Sequence, residues 1–221
     1  MIDDLWPLFG LRLRTPQLEL RLPTTEQLAA LAAVAAEGIH DPAVMPFTMA
    51  WTDAPPAERA RSTAQYHWRS WGSLTPEQWA LPMVTIRAGE VVGTQDMGAT
   101  HFATVREVST GSWLGLRHHG QGIGTEMRAA VLHLAFAGLG ADTAVSAAEK
   151  DNAASTAISR RLGYADDGWE RVMVRDAVAE HRRFRIDRVA WAAHRTVPVT
   201  IEGLEPCREL LGAPGPASRG A

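Results

Sequence analysis

Three glycines at alternate positions, Gly120, Gly122 and Gly124, mark the segment of this chain with the clearest capacity for chemistry. They lie within residues 117–125 (RHHGQGIGT), between an apolar stretch that ends at Leu116 and a long amphipathic run. Because glycine carries no side chain, such a turn at the start of a helix aims several backbone N–H groups at one anionic point. The segment therefore predicts a phosphate-binding turn.

The spacing of these glycines argues against the two commonest nucleotide-binding motifs. A mononucleotide P-loop needs a Gly-Lys pair followed by Ser or Thr, whereas Gly124 is followed directly by Thr125. A dinucleotide-binding turn needs a further glycine where Met127 stands. A nucleotide-binding protein remains an alternative, and binding of ATP or NAD would then protect the chain against heating.

Two other segments become informative together with the glycines. Leu18, Leu20 and Leu22 alternate with polar residues, which predicts a strand, and a threonine-capped helix follows that ends near Gly38. After the glycines, an Asn-x-x-Ser pattern begins at Asn152, and its predicted helix closes with Leu-Gly-Tyr. The chain thus carries three characteristic patterns in a defined order.

In this order the patterns resemble the GNAT superfamily of N-acyltransferases, and within it the RimJ/RimL-like branch. The segment from His119 to Gly124 is similar to the family's acyl-CoA loop, which reads Gln or Arg, two residues, Gly, one residue, Gly or Ala. The resemblance implies an α/β (α+β) fold whose mixed central sheet contains a splayed pair of strands flanked by helices. In the family the splay arises at a bulge, whose N–H faces the thioester oxygen.

The resemblance also implies acyl-CoA as co-substrate, without a metal. Backbone N–H groups of the turn would hold its pyrophosphate, and Arg117 would add positive charge. Asn152 would hold the pantetheine amide, while Ser155 would donate a hydrogen bond to the departing thiolate. Asn152 as a helix cap and Ser155 as a helix N-terminal hydroxyl are the structural alternatives. The implied cofactor-binding residues are Trp113, Leu114, Gly115, Leu116, Arg117, His119, Gly120, Gln121, Gly122, Ile123, Gly124, Thr125, Asn152 and Ser155.

The implied reaction is direct attack of a primary amine on the thioester in a ternary complex. A lysine amine has a pKa of about 10.4, so it arrives protonated and needs a base or a water chain. Many family members place a tyrosine seven positions after the asparagine, where this chain has Ser159. The predicted catalytic residues are Ser155 as proton donor and Glu107 or Asp53 as base, with His40, His101 and a water-mediated route as alternatives.

The donor and the acceptor are predicted only by class. The stretches 45–52 and 111–117 look like an actinobacterial sub-branch that uses succinyl-CoA, so the resemblance favours succinyl-CoA as donor. An acetyl-CoA-dependent N-terminal or lysine acetyltransferase is one alternative, and a CoA-binding module without turnover is another. The acceptor is predicted to be a primary amine of a small molecule or a protein.

Composition narrows the class of protein. With 221 residues and 46% hydrophobic residues, the chain is long enough for one buried core. A net charge of −3 provides no basic surface for nucleic acid. Cys207 is the single cysteine, so neither an internal disulfide nor a cysteine-based metal site is expected. The absence of long apolar runs predicts a cytoplasmic protein with no membrane partner.

The elements that position these residues follow from hydrophobic spacing. The predicted strands are 81–87 and 90–98 as a hairpin, 105–116, 143–147, 169–174 and 181–187, and the predicted later helices are 57–71, 124–139 and 152–162. We predict a GNAT domain over 1–195, an extension with an edge strand and a short helix over 196–211, and a disordered tail over 212–221. A homodimer is expected, with the extension as a possible contact.

Overall fold

The computed structural model describes residues 2–213 and arranges them as a mixed nine-stranded sheet with helices on both faces. The strands are β1 (Arg12–Arg14), β2 (Leu18–Arg21), β3 (Gln78–Arg87), β4 (Glu90–Thr100), β5 (Glu107–Leu114), β6 (Thr143–Glu149), β7 (Ala165–Val174), β8 (Ala177–Asp187) and β9 (Thr200–Glu202). The helices are α1 (Ile2–Leu5), α2 (Thr25–Glu37), α3 (Pro56–Gly72), α4 (Phe102–Val105), α5 (Ile123–His133), α6 (Ala153–Arg161) and α7 (Arg188–His194). Across the sheet the order is β7-β8-β6-β5-β4-β3-β2-β1-β9.

Alternate residues of the central strands face two separate cores. Leu81 and Met83 of β3 are fully buried in the larger core, on the face that α5 covers. Val84, the residue after Met83, faces the opposite side of the sheet and packs with Leu28 and Leu31 of α2. The period of two in β3 thus directs its side chains to α5 on one face and to α2 and α3 on the other.

The predicted first helix is confirmed together with its cap. The Thr24 hydroxyl accepts from the Gln27 amide, and the Gln27 side chain accepts from the Thr24 amide, which forms a capping box. The helix stops at Gly38, whose φ of 124° suits glycine. These local interactions explain why both ends of α2 are readable from the sequence.

The predicted splayed pair of strands is β5 and β6. They pair in parallel at three positions, from Glu107 opposite Thr143 to Ser109 opposite Val145. Beyond Ser109 the remaining residues of β5 pair only with β4, so the two strands diverge toward the end of β5. We call the opening between β5 and β6 beyond Ser109 and Val145 the fork. The β4–β5 register continues without a shift, so the predicted bulge is absent from that ladder of the described chain.

Tertiary packing corrects the predicted start of the third strand and decides which residues of α3 are buried. His101 and Arg106 adopt left-handed φ values of 51° and 56° around α4, so β5 starts at Glu107 instead of 105. On α3 the large side chain of Trp68 is 57% exposed. Thr63 and Ser70 are buried instead, and their hydroxyls donate to carbonyls of their own helix, which removes the cost of burying them.

The last hairpin is longer than predicted, since β7 and β8 extend to a tight turn at Arg175 and Asp176. Both turn residues have positive φ, at 49° and 59°, which is unusual without glycine or asparagine and hides the turn from a sequence reading. The predicted C-terminal edge strand appears as β9, which pairs with β1. A short 3₁₀ helix, Glu205–Cys207, follows it.

The predicted disordered tail begins too early. Ala213 is buried, and the Gly212 amide donates to the Glu209 carbonyl, because the chain packs there against the start of β3. Residues 214–221 of that prediction lie outside the described part of the chain. None of the helices within residues 2–213 is long and apolar enough to cross a bilayer.

Gly93 permits the close approach of β4 and β5, and its replacement tests this packing. A Cβ at this position would lie 2.3 Å from the Trp113 carbonyl oxygen and 2.8 Å from the Leu114 Cα. We expect Gly93→Ala to lower the free energy of unfolding by about 2–3 kcal/mol, since backbone atoms cannot yield. Denaturant unfolding measures this, with Gly111→Ala on β5 as the control because its Cβ would meet no atom within 4 Å. Equal stability of Gly93→Ala and the native chain would contradict the packing.

Candidate functional site

The glycine turn lies at the open end of the fork. After β5 the chain forms a single 3₁₀ turn, Leu116–His118, and reaches α5 through Gly120 and Gly122. These two glycines have φ values of 74° and 80°, in the left-handed region that favours glycine. A Cβ at Gly124 would contact Leu114 of β5 at 3.9 Å and Ile158 of α6 at 3.0 Å, so the start of α5 packs between β5 and α6.

Several backbone amides of this turn are free. Within the described residues, five consecutive N–H groups donate to no other protein atom: those of Gly120, Gln121, Gly122, Ile123 and Gly124. They lie at the positive end of the dipole of α5, an 11-residue helix. Free amides at a helix N-terminus bind anions, so the turn can hold a phosphate.

Two amides predicted to join this group are already engaged. The Thr125 amide donates to the Gly122 carbonyl at 3.1 Å and closes the first turn of α5. The His119 amide donates to the Leu116 carbonyl at 3.2 Å, and its ring lies 3.1 Å from the Leu114 carbonyl. Glycine spacing identifies the turn, but it does not reveal which N–H groups already form hydrogen bonds within the turn.

The cation beside the turn is also different from the predicted one. The Arg117 guanidinium donates to Glu37 and Glu90 at 2.5 Å each, so these carboxylates balance its charge. Arg87, the last residue of β3, donates to the Gln121 side chain at 2.5 Å. No carboxylate of the described residues forms an ion pair with Arg87, which leaves its charge available to an anion. Sequence reasoning missed Arg87 because β3 brings it to the turn from far along the chain.

The first turn of α6 borders the fork from the other side. The side-chain oxygen Oδ1 of Asn152 accepts from the Ser155 amide at 3.0 Å, so this side chain caps α6 as the structural alternative expected. The Ser155 hydroxyl is half-buried and forms no hydrogen bond to another described residue. Ser155 therefore retains a donor for a ligand, whereas the oxygen of Asn152 is committed to the cap.

A buried carboxylate that sequence reasoning missed lies one strand away from the fork. Asp96 of β4 pairs with Gly111 of β5 and faces α3, where the Tyr66 hydroxyl donates to Asp96 Oδ2 at 2.8 Å. Asp96 Oδ1 is buried and has no partner among the described residues. Burial raises the pKa of Asp96 to about 6, and burial together with this carboxylate raises the pKa of Tyr66. The space above Gly111 is open, since a Cβ there would meet no atom within 4 Å.

Aromatic side chains form a wall next to this open face. The rings of Trp113 on β5 and Trp51 have their centroids 5.9 Å apart, and Trp51 lies 5.6 Å from Phe47. Phe47 in turn contacts His40 at 5.7 Å, so the loop 40–53 is packed along β5. Trp113 lies two residues after Gly111 on β5, so this apolar wall and Asp96 lie on the same face of the sheet.

The family of the chain follows from comparison with known proteins. The model of the acetyltransferase (GNAT) domain matches residues 17–165, which is more than half of the chain. This chain belongs to the GNAT acetyltransferase family. The family and the fold predicted from the sequence are thereby confirmed.

Solved structures share the GNAT fold at low sequence identity. RimJ from Mycobacterium smegmatis in complex with CoA-disulfide is 19% identical, with a TM-score of 0.62 over 86% of this chain and 96% of that chain. The ribosomal L7/L12 alpha-N-protein acetyltransferase RimL in complex with coenzyme A is 18% identical, with a TM-score of 0.60 over 80% and 97%. A GCN5-related N-acetyltransferase from Brucella melitensis is 16% identical, with a TM-score of 0.65 over 83% and 81%.

Both carboxylates predicted as the base of this GNAT protein are engaged in ion pairs. Glu107 lies at the closed end of the fork, where it accepts from Thr143 Oγ1 at 2.8 Å and from Arg185. Asp53 binds Arg175 through both oxygens, at 2.7 and 2.5 Å, and Arg175 lowers the pKa of Asp53. The Asp53 pair ties the loop 40–53 to the β7–β8 hairpin, so its role in this structure is to hold that loop.

The two histidines predicted as alternative bases are not placed to act as a base either. The His40 ring bonds the Asp41 carbonyl at 2.8 Å and the Thr52 hydroxyl at 2.7 Å, which fixes it within its loop. His101 is exposed and caps α4 with a left-handed backbone. Among the described carboxylates near the fork, Asp96 is the one that combines a buried oxygen without a partner with a raised pKa.

Proposed function

We propose that this GNAT protein is an acyl-CoA-dependent N-acyltransferase that holds the cofactor in the fork, with the pyrophosphate on the glycine turn. The observation that carries the proposal is the set of five free amides at the open end of two diverging strands. Arg87 adds an unbalanced positive charge beside them. RimJ and RimL, which share the fold, were solved in complex with coenzyme A compounds, and this supports acyl-CoA as the co-substrate.

In the proposed reaction a primary amine enters from the open face of β5 and attacks the thioester carbon. The C–N bond forms, the C–S bond breaks, and its electron pair leaves on sulfur. Asp96 accepts the proton of the amine, directly or through a water molecule, while Tyr66 holds its other oxygen. The free hydroxyl of Ser155 donates to the departing thiolate. Asp96 thus replaces Glu107 and Asp53 in this role.

We propose succinyl-CoA as the preferred donor and acetyl-CoA as the alternative. A succinyl group ends in a carboxylate that needs a cation or several donors. Arg183 of β8 supports the proposal, because it lies opposite Ala147, in the part of β6 that has separated from β5. It is exposed and donates only to the main-chain oxygen of Asp167, at 3.0 and 2.8 Å. No carboxylate of the described residues forms an ion pair with it.

Calorimetry with the two donors tests this preference. We expect succinyl-CoA to bind more tightly than acetyl-CoA, because the additional carboxylate gains a charge-assisted hydrogen bond. In Arg183→Gln the difference between the two affinities should shrink, while the affinity for acetyl-CoA stays the same. Tighter binding of acetyl-CoA by the native protein would exclude succinyl-CoA as the preferred donor without affecting the transferase proposal.

Release of free thiol tests the reaction itself. Incubation of the protein and acyl-CoA with a panel of primary amines should release coenzyme A and form an amide. Tight binding of coenzyme A without thiol release from any amine would instead support a binding module without turnover. The acceptor is proposed only as a primary amine, and the predicted homodimer stays a prediction that a mass measurement in solution decides.

A further inference from the structure

A network of hydrogen-bonded, buried polar groups lies next to the fork and begins at a buried cation. Arg128 of α5 is only 4% exposed, and its Nη1 donates to the Ser159 hydroxyl of α6 at 3.0 Å. Its Nε is buried without a partner among the described residues. The Ser159 hydroxyl in turn donates to the Ser155 carbonyl at 3.0 Å. Arg128 is therefore linked to the residue whose free hydroxyl borders the fork.

A second branch of this network reaches the point where β5 and β6 separate. Tyr164 is buried next to Arg128 and lies 3.4 Å from the Thr110 hydroxyl. Thr110 is the first residue of β5 beyond the paired positions, and its carbonyl accepts from the Ser146 hydroxyl of β6 at 3.4 Å. Polar groups thus extend from Arg128 to both strands of the fork.

Nothing in the described chain balances the charge of Arg128. No carboxylate of residues 2–213 lies within ion-pairing distance of its guanidinium. Burial lowers the pKa of Arg128, yet a guanidinium remains charged at neutral pH. A buried charge without a counterion is costly, and an anion bound close to it would offset part of that cost.

We propose that Arg128 stabilises the thiolate of coenzyme A in the fork, through its positive charge and by positioning Ser155 through Ser159. The inference rests on the proposed function. When the C–S bond breaks, the electron pair remains on sulfur, and a nearby buried cation lowers the free energy of that charge. Arg128 is a positioning residue in this scheme, while the Ser155 hydroxyl contacts the sulfur.

The pH dependence of binding separates this role from simple packing. If the site stabilises the thiolate, the bound thiol ionises at a lower pH than the free thiol. The affinity for coenzyme A, relative to desulfo-coenzyme A, should then rise with pH between these two pKa values and level off above the free one. In Arg128→Met the pH at which the rise begins should move upward by about one unit or more, so the total rise becomes smaller, while the affinity for desulfo-coenzyme A changes less than about twofold.

Other ionisable groups near the fork contribute equally to both ligands. Tyr164 has its pKa raised by burial and stays neutral over this range. Glu107 is bound to Arg185, and Glu149 of β6 accepts from the Asp151 amide. Asp96, on the other face of β4, titrates near pH 6. The ratio of the two affinities therefore reports the ionisation of the coenzyme A thiol.

The experiment is calorimetry from pH 6 to 9 with the native protein, Arg128→Met and Arg161→Met, the last being an exposed arginine of α6 as control. Equal pH dependence of coenzyme A and desulfo-coenzyme A in the native protein would overturn the inference, even if no variant folds. An equal loss of affinity for both ligands in Arg128→Met would also overturn it, since that result indicates packing. Failure of both ligands to bind the native protein would contradict the proposed function instead.

Discussion

Asp96→Asn is expected to lower turnover by about 100-fold or more while the affinity for acyl-CoA changes by less than about twofold. The amide keeps the shape of the side chain and its contact with Tyr66, but it cannot accept the proton of the attacking amine. A residue that acts only after the cofactor binds should affect kcat and leave the cofactor's Kd unchanged. Steady-state kinetics together with calorimetry measure both quantities.

The pH profile gives a second signature of Asp96. Because burial raises the pKa of Asp96 to about 6, kcat/KM for the native protein should rise with pH up to about 6 on its acid side. That limb should disappear in Asp96→Asn and persist in Glu107→Gln, whose carboxylate is committed to Arg185. A native acid limb that survives in Asp96→Asn would assign the base elsewhere.

Stability should move in the opposite direction from activity. The folded protein raises the pKa of Asp96, so its neutral form favours folding below the unfolded pKa of about 4, and this contribution is lost as pH rises through about 6. At pH 7 the ionised carboxylate therefore destabilises the fold, and Asp96→Asn should raise the free energy of unfolding by about 1–2 kcal/mol. An inactive but more stable variant excludes misfolding as the reason for the lost activity.

Gly122→Asp is expected to weaken binding of coenzyme A by about 100-fold. The added carboxylate would lie among the free amides of the turn, where it competes with the pyrophosphate and repels it. The left-handed φ of 80° adds a backbone penalty, although aspartate tolerates this region better than most residues. Calorimetric titration with coenzyme A measures the loss.

Two comparison variants separate charge from backbone strain in this experiment. Gly122→Asn introduces the same shape and the same strain without the charge, so it should retain most of the affinity. Gly89→Asp introduces the charge at another left-handed glycine with open space, in the β3–β4 turn, and should bind coenzyme A normally. Native affinity in Gly122→Asp would show that the pyrophosphate lies elsewhere.

Features set by neighbouring residues were readable from the sequence. The glycine turn depends on backbone conformations that only glycine adopts easily, as the φ values of Gly120 and Gly122 show. The capping box at Thr24 depends on a residue three positions away. The order of these local patterns along the chain sufficed to predict the family and the fork.

Features set by distant residues were decided by the tertiary structure. Arg117 was expected to bind the cofactor, but folding brings Glu37 and Glu90 to it and places Arg87 beside the turn instead. Asp53 was expected to act as a base, but the β7–β8 hairpin brings Arg175 to it. Whether a charged side chain is available to a ligand depends on such partners, which short-range spacing in the sequence does not encode.

Asp96 and Arg128 illustrate the same limit for burial. In the sequence Asp96 is one polar residue in a strand and Arg128 one basic residue in a helix. The register of β4 with β5 places Asp96 opposite Gly111, and the packing of α5 on α6 seals Arg128 against Ser159. The local sequence determined the backbone that can bind a phosphate. Sheet register and helix packing decided which charges are buried beside it, because dehydration depends on neighbours distant in the chain.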